Sequence, residues 1–281
     1  TILRAIVDKP KRISVDSGRI TWQIHVHGYG PETLIAFHGF NRSYQDLLDL
    51  GSKLEGKFRV AAISLIHHGS NFAATNAEDA FNPIELKNAF IELIKALDIE
   101  SFSVMAHSFG GRLALNMVEL VSNRIDKLYL LAPDALRYHP GYRFVTGTQL
   151  GRYLMGNFRK NPTRVVALIR LFGKLGIYTK RTSDYFIHQI THEKSRELVY
   201  LSWMSHRKTI PNLTQIAINI QKKGIITHLV FGNNDTVIPV SQGERFMNRI
   251  QPFGRLHVLD SGHRLYERKS ELVAIILNWE K

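Results

Sequence analysis

Seven short apolar runs recur along the chain, at 20–26, 33–39, 59–65, 101–108, 127–134, 226–235 and 255–262, each bounded by turn-forming residues. They are rich in β-branched and aromatic side chains, and most are continuous rather than alternating in hydrophobicity. That pattern predicts strands covered on both faces. Segments of helical period lie between them. In 83–98 (PIELKNAFIELIKALD), Ile84, Phe90 with Ile91, Ile94 and Leu97 line one face behind a proline suited to a first helical turn. Strand, helix, strand in succession predicts parallel neighbours joined by crossovers, hence an α/β fold with a mostly parallel central sheet flanked by helices.

The alternation stops once. From 135 to 205 there is no strand pattern, and helical pieces such as PTRVVALIRLFGKLG and SRELVYLSWMSHR are separated by Gly, Pro and Asn. This reads as an insertion after the fifth parallel strand. Charge sets the same part of the chain apart: residues 135–225 carry 16 Lys and Arg against 3 Asp and Glu, while the rest holds 21 of each. The whole net charge of +13 therefore sits there. In RVVALIRLFGKLG, Val165, Leu168, Ile169 and Phe172 make one helical stripe, with Arg164, Arg170 and Lys174 at its margins. Two readings are open: a stripe packed on the core beneath it, or a surface that attracts an anionic substrate or makes peripheral contact with an anionic membrane.

Composition narrows the chemistry. With 281 residues, 44% of them hydrophobic and 22% charged, the chain has the profile of a globular protein long enough for one large core and an insertion. It has no cysteine, which excludes disulfides, thiolate nucleophiles and cysteine-ligated metals and leaves hydroxyls and 13 histidines. His25, His27, His67 and His68 match no metal-binding helix spacing and read as polar-loop residues, so neither a metal nor an organic cofactor is expected. No apolar run reaches the roughly 18 residues of a membrane span. The first residues lack an apolar signal core, so a cytoplasmic location is the default expectation, and the chain begins without Met, which leaves the natural start open. No nucleic-acid module accompanies the basic charge, so no nucleic-acid partner is expected.

The chemistry starts at VMAHSFGGRLAL (104–115), where a buried strand meets a helix through small residues at 106, 110 and 111. Ser108 then sits on a sharp strand-to-helix turn, with the Phe109 amide at a helix N-terminus. It is either a nucleophile or a helix N-cap. A nucleophilic serine needs a base, and an acid to orient that base. Asp235 in VFGNNDTVIPV and His263 in VLDSGHRLY each follow a strand and precede a helix, which in a parallel sheet puts them on the edge that carries Ser108. Asp134, in LAPD, is the rival acid, and Asp260 reads as a local turn contact. FHGFNRS (37–43) supplies a second tight turn, braced by His38, whose Phe40 amide joins that of Phe109 as an oxyanion donor.

In this order HGF, AHSFGG, GNNDTVIP and SGH resemble the oxyanion, nucleophile-elbow, acid and histidine motifs of the α/β-hydrolase superfamily, and the resemblance covers nearly the whole chain. It implies a hydrolase core at 1–134 and 206–281 with a helical cap inserted at 135–205. It further implies catalytic Ser108, Asp235 and His263, an oxyanion hole from Phe40 and Phe109, and hydrolysis of a small-molecule carboxylic ester or thioester through an acyl-serine, with no cofactor. Substrate contacts are expected from His38, His107 and Arg112. The sequence departs from the family pattern at Ala106, where the elbow usually has Gly, and in LIHHGSN (65–71), where many relatives have an Asp and a longer Gly-containing loop. GGRLAL also resembles the elbow of menaquinone-pathway lyases. Arg112 is thus either a salt-bridged helix residue or an anion contact, with a lyase on an anionic substrate as the alternative activity. A non-catalytic binding protein is the other alternative, whereas epoxide hydrolases need a carboxylate where Ser108 stands.

Overall fold

Every predicted run is a strand of one eight-stranded sheet in the structure, a computed structural model that describes residues 10–54, 56–68, 79–138, 140–177 and 179–277. The strands are β1 (Lys11–Ser17), β2 (Ile20–His27), β3 (Glu32–Phe37), β4 (Phe58–Ser64), β5 (Phe102–His107), β6 (Ile125–Leu131), β7 (Ile226–Gly232) and β8 (Gly254–Leu259). Their spatial order is β1-β2-β4-β3-β5-β6-β7-β8. From β3 onward every pairing is parallel, whereas β1 with β2 and β2 with β4 are antiparallel. The continuously apolar runs are the central strands, as burial on both faces requires: all six residues of β5 are buried.

The sequence pattern misses β1. Its residues, KRISVDS, alternate between exposed and half-buried at the sheet edge, where charged side chains blunt further pairing, so no apolar signal marks it. β2 pairs antiparallel with both neighbours, so the strand before the insertion, β6, is the sixth of the sheet and the fourth of its parallel set rather than the fifth parallel strand.

The chain forms two compact units. The first comprises Thr1–Ala73, Pro83–Leu136 and Ile210–Lys281 and contains the sheet. Its helices are α1 (Tyr44–Gly51), α2 (Pro83–Leu97), α3 (Gly110–Val121), α9 (Leu213–Lys223), α10 (Val240–Met247) and α11 (Lys269–Leu277). Proline opens α2 as expected, but the buried face is Leu86, Ala89, Phe90, Leu93, Ile94 and Leu97, while Ile84 stays 72% exposed. The apolar set spaced 86, 90, 93, 97 fits a single stripe better than one begun at 84. Trp22 of β2 stacks on Phe90 at 5.8 Å and donates its indole N–H to the Ala89 carbonyl, which fixes α2 on the sheet.

The second unit comprises Ala74–Asn82 and Arg137–Thr209. It consists of α4 (Pro140–Gly147), α5 (Gln149–Lys160), α6 (Thr163–Lys174), α7 (Lys180–Thr191) and α8 (Glu193–Ser205). Met155, Phe158, Tyr200 and Met204 form its small core. The stripe read from the sequence of α6 differs from the buried one: Val166 and Ile169 are buried, whereas Leu168 faces solvent. Apolar residues occur on both sides of this helix, so periodicity alone does not select the inner face. Among the described residues no helix is long and apolar enough to cross a membrane.

Candidate active site

The turn after β5 is built around a strained serine. Ser108 has φ +51°, a left-handed backbone that L-residues adopt only where surrounding structure enforces it. The enforcement is close packing. A Cβ on Gly110 would collide with the Phe37 and His38 carbonyls, and one on Gly111 with Pro133, so only glycine lets α3 start this near β3 and the end of β6. The Ser108 carbonyl accepts from the Gly111 and Asp134 amides, locking the turn. The side chain is not a helix cap. Phe109 holds the N-cap position of α3, and the Ser108 hydroxyl points elsewhere.

That hydroxyl lies 2.8 Å from Nε2 of His263, and Nδ1 of the same ring lies 2.7 Å from Oδ2 of Asp235. With Nδ1–H donating to the carboxylate, Nε2 is the free acceptor facing the serine. The two strand ends are held together by backbone. A Cβ on Gly232 would strike the carbonyls of Ser261 and Gly262, and the Asn233 and Asn234 amides donate to Leu259 and Ser261. Asp260 accepts from the Asn233 and Asn234 side chains, a contact between these two turns. Asp235 is buried, and its Oδ1 accepts from the Val237 and Ile238 amides. Burial pushes its pKa up, but the His263 hydrogen bond and charge and the two amides outweigh burial and hold the carboxyl below its ordinary value. The acid is therefore ionised and fixed in direction.

On the other side of Ser108, two histidines strap one turn to another. The Leu65 amide donates to Nε2 of His38 and the Asn41 amide donates to Nε2 of His68, so each ring carries its proton on Nδ1 and donates it to the Gly39 or the Ile66 carbonyl. The 39–41 turn, containing Phe40, is thereby tied to the 65–68 turn at two points. Burial above all pushes His38 down to about 3 and His68 to about 4, which keeps both rings neutral and able to accept. The Phe40 ring meets those of His68 at 5.6 Å and Phe109 at 6.3 Å. An added Cβ on Gly39 would lie 3.3 Å from the Ser108 Cβ, so this turn abuts Ser108. His67 and His68 are buried and His25 and His27 belong to β2, with His25 buried, which corrects the reading of these four as polar-loop residues; Gly69–Asn71 lies outside the described residues.

His107, next to the serine, is buried and donates Nε2–H to the His263 carbonyl at 2.9 Å, bracing the histidine turn from below. Burial, then the neighbouring His263, lowers its pKa to about 3. His38 and His107 also line a small pocket with Arg42, Leu131 and Tyr266. Arg112 is buried with its guanidinium 2.6 Å from Asp134, the salt-bridged of its two readings, and Asp134 faces Arg112 where Asp235 faces His263. No group of three or more metal-binding side chains comes together among the described residues.

Comparison with known proteins adds three findings. Residues 32–269 match the family model described as alpha/beta hydrolase fold. Among curated proteins, the chain is 29% identical over 127 residues to the dihydrolipoyllysine-residue acetyltransferase component of the acetoin cleaving system of Pseudomonas putida, a match covering 45% of this chain and 33% of that protein. It is 20% identical over 267 residues to the uncharacterized hydrolase YugF of Bacillus subtilis, 94% of each chain. In the first match and several others the chain spans only about a third of the relative's length. A thermophilic esterase from Thermogutta terrifontis superposes with a TM-score of 0.70 at 16% identity, over 96% of this chain and 98% of that one, a likeness of fold.

Proposed function

Since this chain belongs to the α/β-hydrolase fold family, we propose that it hydrolyses a small-molecule carboxylic ester or thioester through an acyl-Ser108 intermediate. The observation that carries the reading is the unbroken hydrogen-bond chain from Ser108 through His263 to an ionised Asp235. Nε2 of His263 takes the hydroxyl proton as Oγ bonds to the acyl carbon. Asp235 keeps the tautomer fixed and stabilises the imidazolium without taking its proton. The oxyanion that forms meets the amides of Phe40 and Phe109, of which the Phe40 amide donates no hydrogen bond among the described residues. The imidazolium then protonates the departing alkoxide or thiolate as the acyl–heteroatom bond breaks. Water, deprotonated by the same nitrogen, attacks the acyl-serine and releases the acid with Ser108 restored.

The helical segment 135–205 serves in this reading as the cap that selects substrates. The lyase alternative depended on Arg112 as an anion contact, and its buried pairing with Asp134 gives that no support. The test is hydrolysis of p-nitrophenyl esters of increasing acyl length in ¹⁸O-water. One ¹⁸O incorporated into the released acid, with activity lost in Ser108→Ala and His263→Ala, is the expected result. Turnover without incorporation, or variants as active as the parent, overturns the proposal.

A further inference from the structure

Two consecutive helices of the second unit turn apolar side chains to water. Of the 14 large hydrophobic residues exposed among the described ones, eight lie within residues 144–177. On α5 they are Leu150, Tyr153 and Leu154, and at α6 they are Leu168, Leu171 and Leu175, each between 46% and 67% exposed. Spacings of i, i+3, i+4 and i, i+3, i+7 make each set one stripe; on α6 it lies on the side away from the buried Val166 and Ile169, and on α5 it flanks the face that buries Met155 and Phe158. Proteins that stay monomeric in water seldom expose clustered apolar surface of this kind without a use for it.

The charge around the stripes is predominantly positive. Residues 135–183 contain ten Lys and Arg and no Asp or Glu. Glu197 is taken by Arg159. Arg164, Arg170 and Lys174 on α6 are exposed and form no ion pair among the described residues. We propose that α5 and α6 are a docking surface for an anionic lipid bilayer, the apolar stripes entering the headgroup–acyl boundary and the flanking cations meeting lipid phosphates. The occupant follows from the pairing of features. A second copy of the chain would set like charge against like. A nucleic-acid backbone would engage the cations and leave the leucines wet, whereas an anionic bilayer satisfies both. The proposal concerns binding alone and stands or falls apart from the reaction proposed above.

The test is sedimentation of the full chain with vesicles of phosphatidylcholine, with and without phosphatidylglycerol. The parent is expected to pellet with the anionic vesicles and far less with the neutral ones, and increasingly poorly as salt is raised. The triple variant Arg164→Gln, Arg170→Gln, Lys174→Gln should partition about a hundredfold more weakly at low salt, at about fivefold per basic side chain. Leu168→Ser, Leu171→Ser, Leu175→Ser should abolish the binding that survives high salt. Thermal melting checks both folds, and if the serine variant does not fold, the glutamine variant decides. A parent that ignores anionic vesicles, or binds neutral ones equally, overturns the proposal. So does a concentration-dependent dimer that the serine variant converts to monomer, which would assign the stripes to self-association.

Discussion

The two units solve opposite problems with the same residue types. In the sheet unit, polar groups are buried and paired: Asp235 with His263, Arg112 with Asp134, and His38 and His68 with opposing amides. In the helical unit apolar groups are exposed and the charge is left unbalanced. Burying polar atoms costs folding energy and is repaid only by fixed geometry, which chemistry needs. Exposing leucines and unpaired cations also costs stability and is useful only when something outside the chain covers them. Reaction and contact are therefore expected to be separable by mutation.

The largest effect expected is in the sheet unit. Asp235→Asn should lower kcat about 10⁴-fold by allowing the wrong His263 tautomer, while vesicle binding and melting temperature stay near those of the parent. Steady-state kinetics beside sedimentation reads both, and a parallel loss of the two would collapse the separation. Next comes His68, a positioning residue that holds the Phe40 turn through the Asn41 amide. His68→Phe should cost about tenfold to a hundredfold in kcat, with KM little changed, because the oxyanion donor is misplaced rather than removed. His68→Gln, which offers an acceptor to the same amide, should recover most of it. Equal losses in the two variants would reduce His68 to a packing role.

Asp134→Asn sharpens the contrast between two carboxylates of one sheet edge. It should cost about 1 to 2 kcal/mol of stability, measured by denaturant unfolding, because the Arg112 guanidinium exchanges a charged partner for a neutral one at a partly exposed carboxyl, yet leave kcat within severalfold. A kinetic collapse here and not in Asp235→Asn would move the acid from β7 to β6. Last comes pH, which acts on stability rather than on turnover. His38, His67, His68 and His107 are held neutral chiefly by burial, at about 3 to 4 against 6.5 unfolded. Below about pH 6.5 the unfolded chain takes up protons that the folded chain refuses. Their contribution is full above that pH and declines toward pH 4, by at most about 1.4 kcal/mol per unit for each histidine. Melting temperatures between pH 7.5 and 5 should fall accordingly, and less in His68→Gln.

The parts of this site legible in the sequence are those fixed by position on strand ends. Ser108, Asp235 and His263 each follow an apolar run and precede a helix, so topology alone sets them on one edge. Of the two straps, the brace by His38 is legible beside its turn and the one by His68 is not. His68 reaches Asn41 across 27 residues through a backbone amide, and nothing in spacing or residue type signals that. The role of His107 against the His263 carbonyl, 156 residues away, is hidden for the same reason. Likewise β1 is a polar edge strand and the outer stripe of α6 is apolar, so in neither does hydrophobicity mark the inward face.

Whether Ser108 is an activated nucleophile is read by intact-mass analysis after brief exposure to a fluorophosphonate. One adduct per chain is expected, mapped by peptide fragmentation to Ser108, absent from Ser108→Ala and strongly slowed in His263→Ala. An unmodified parent, or a serine adduct that persists in Ser108→Ala, would contradict it.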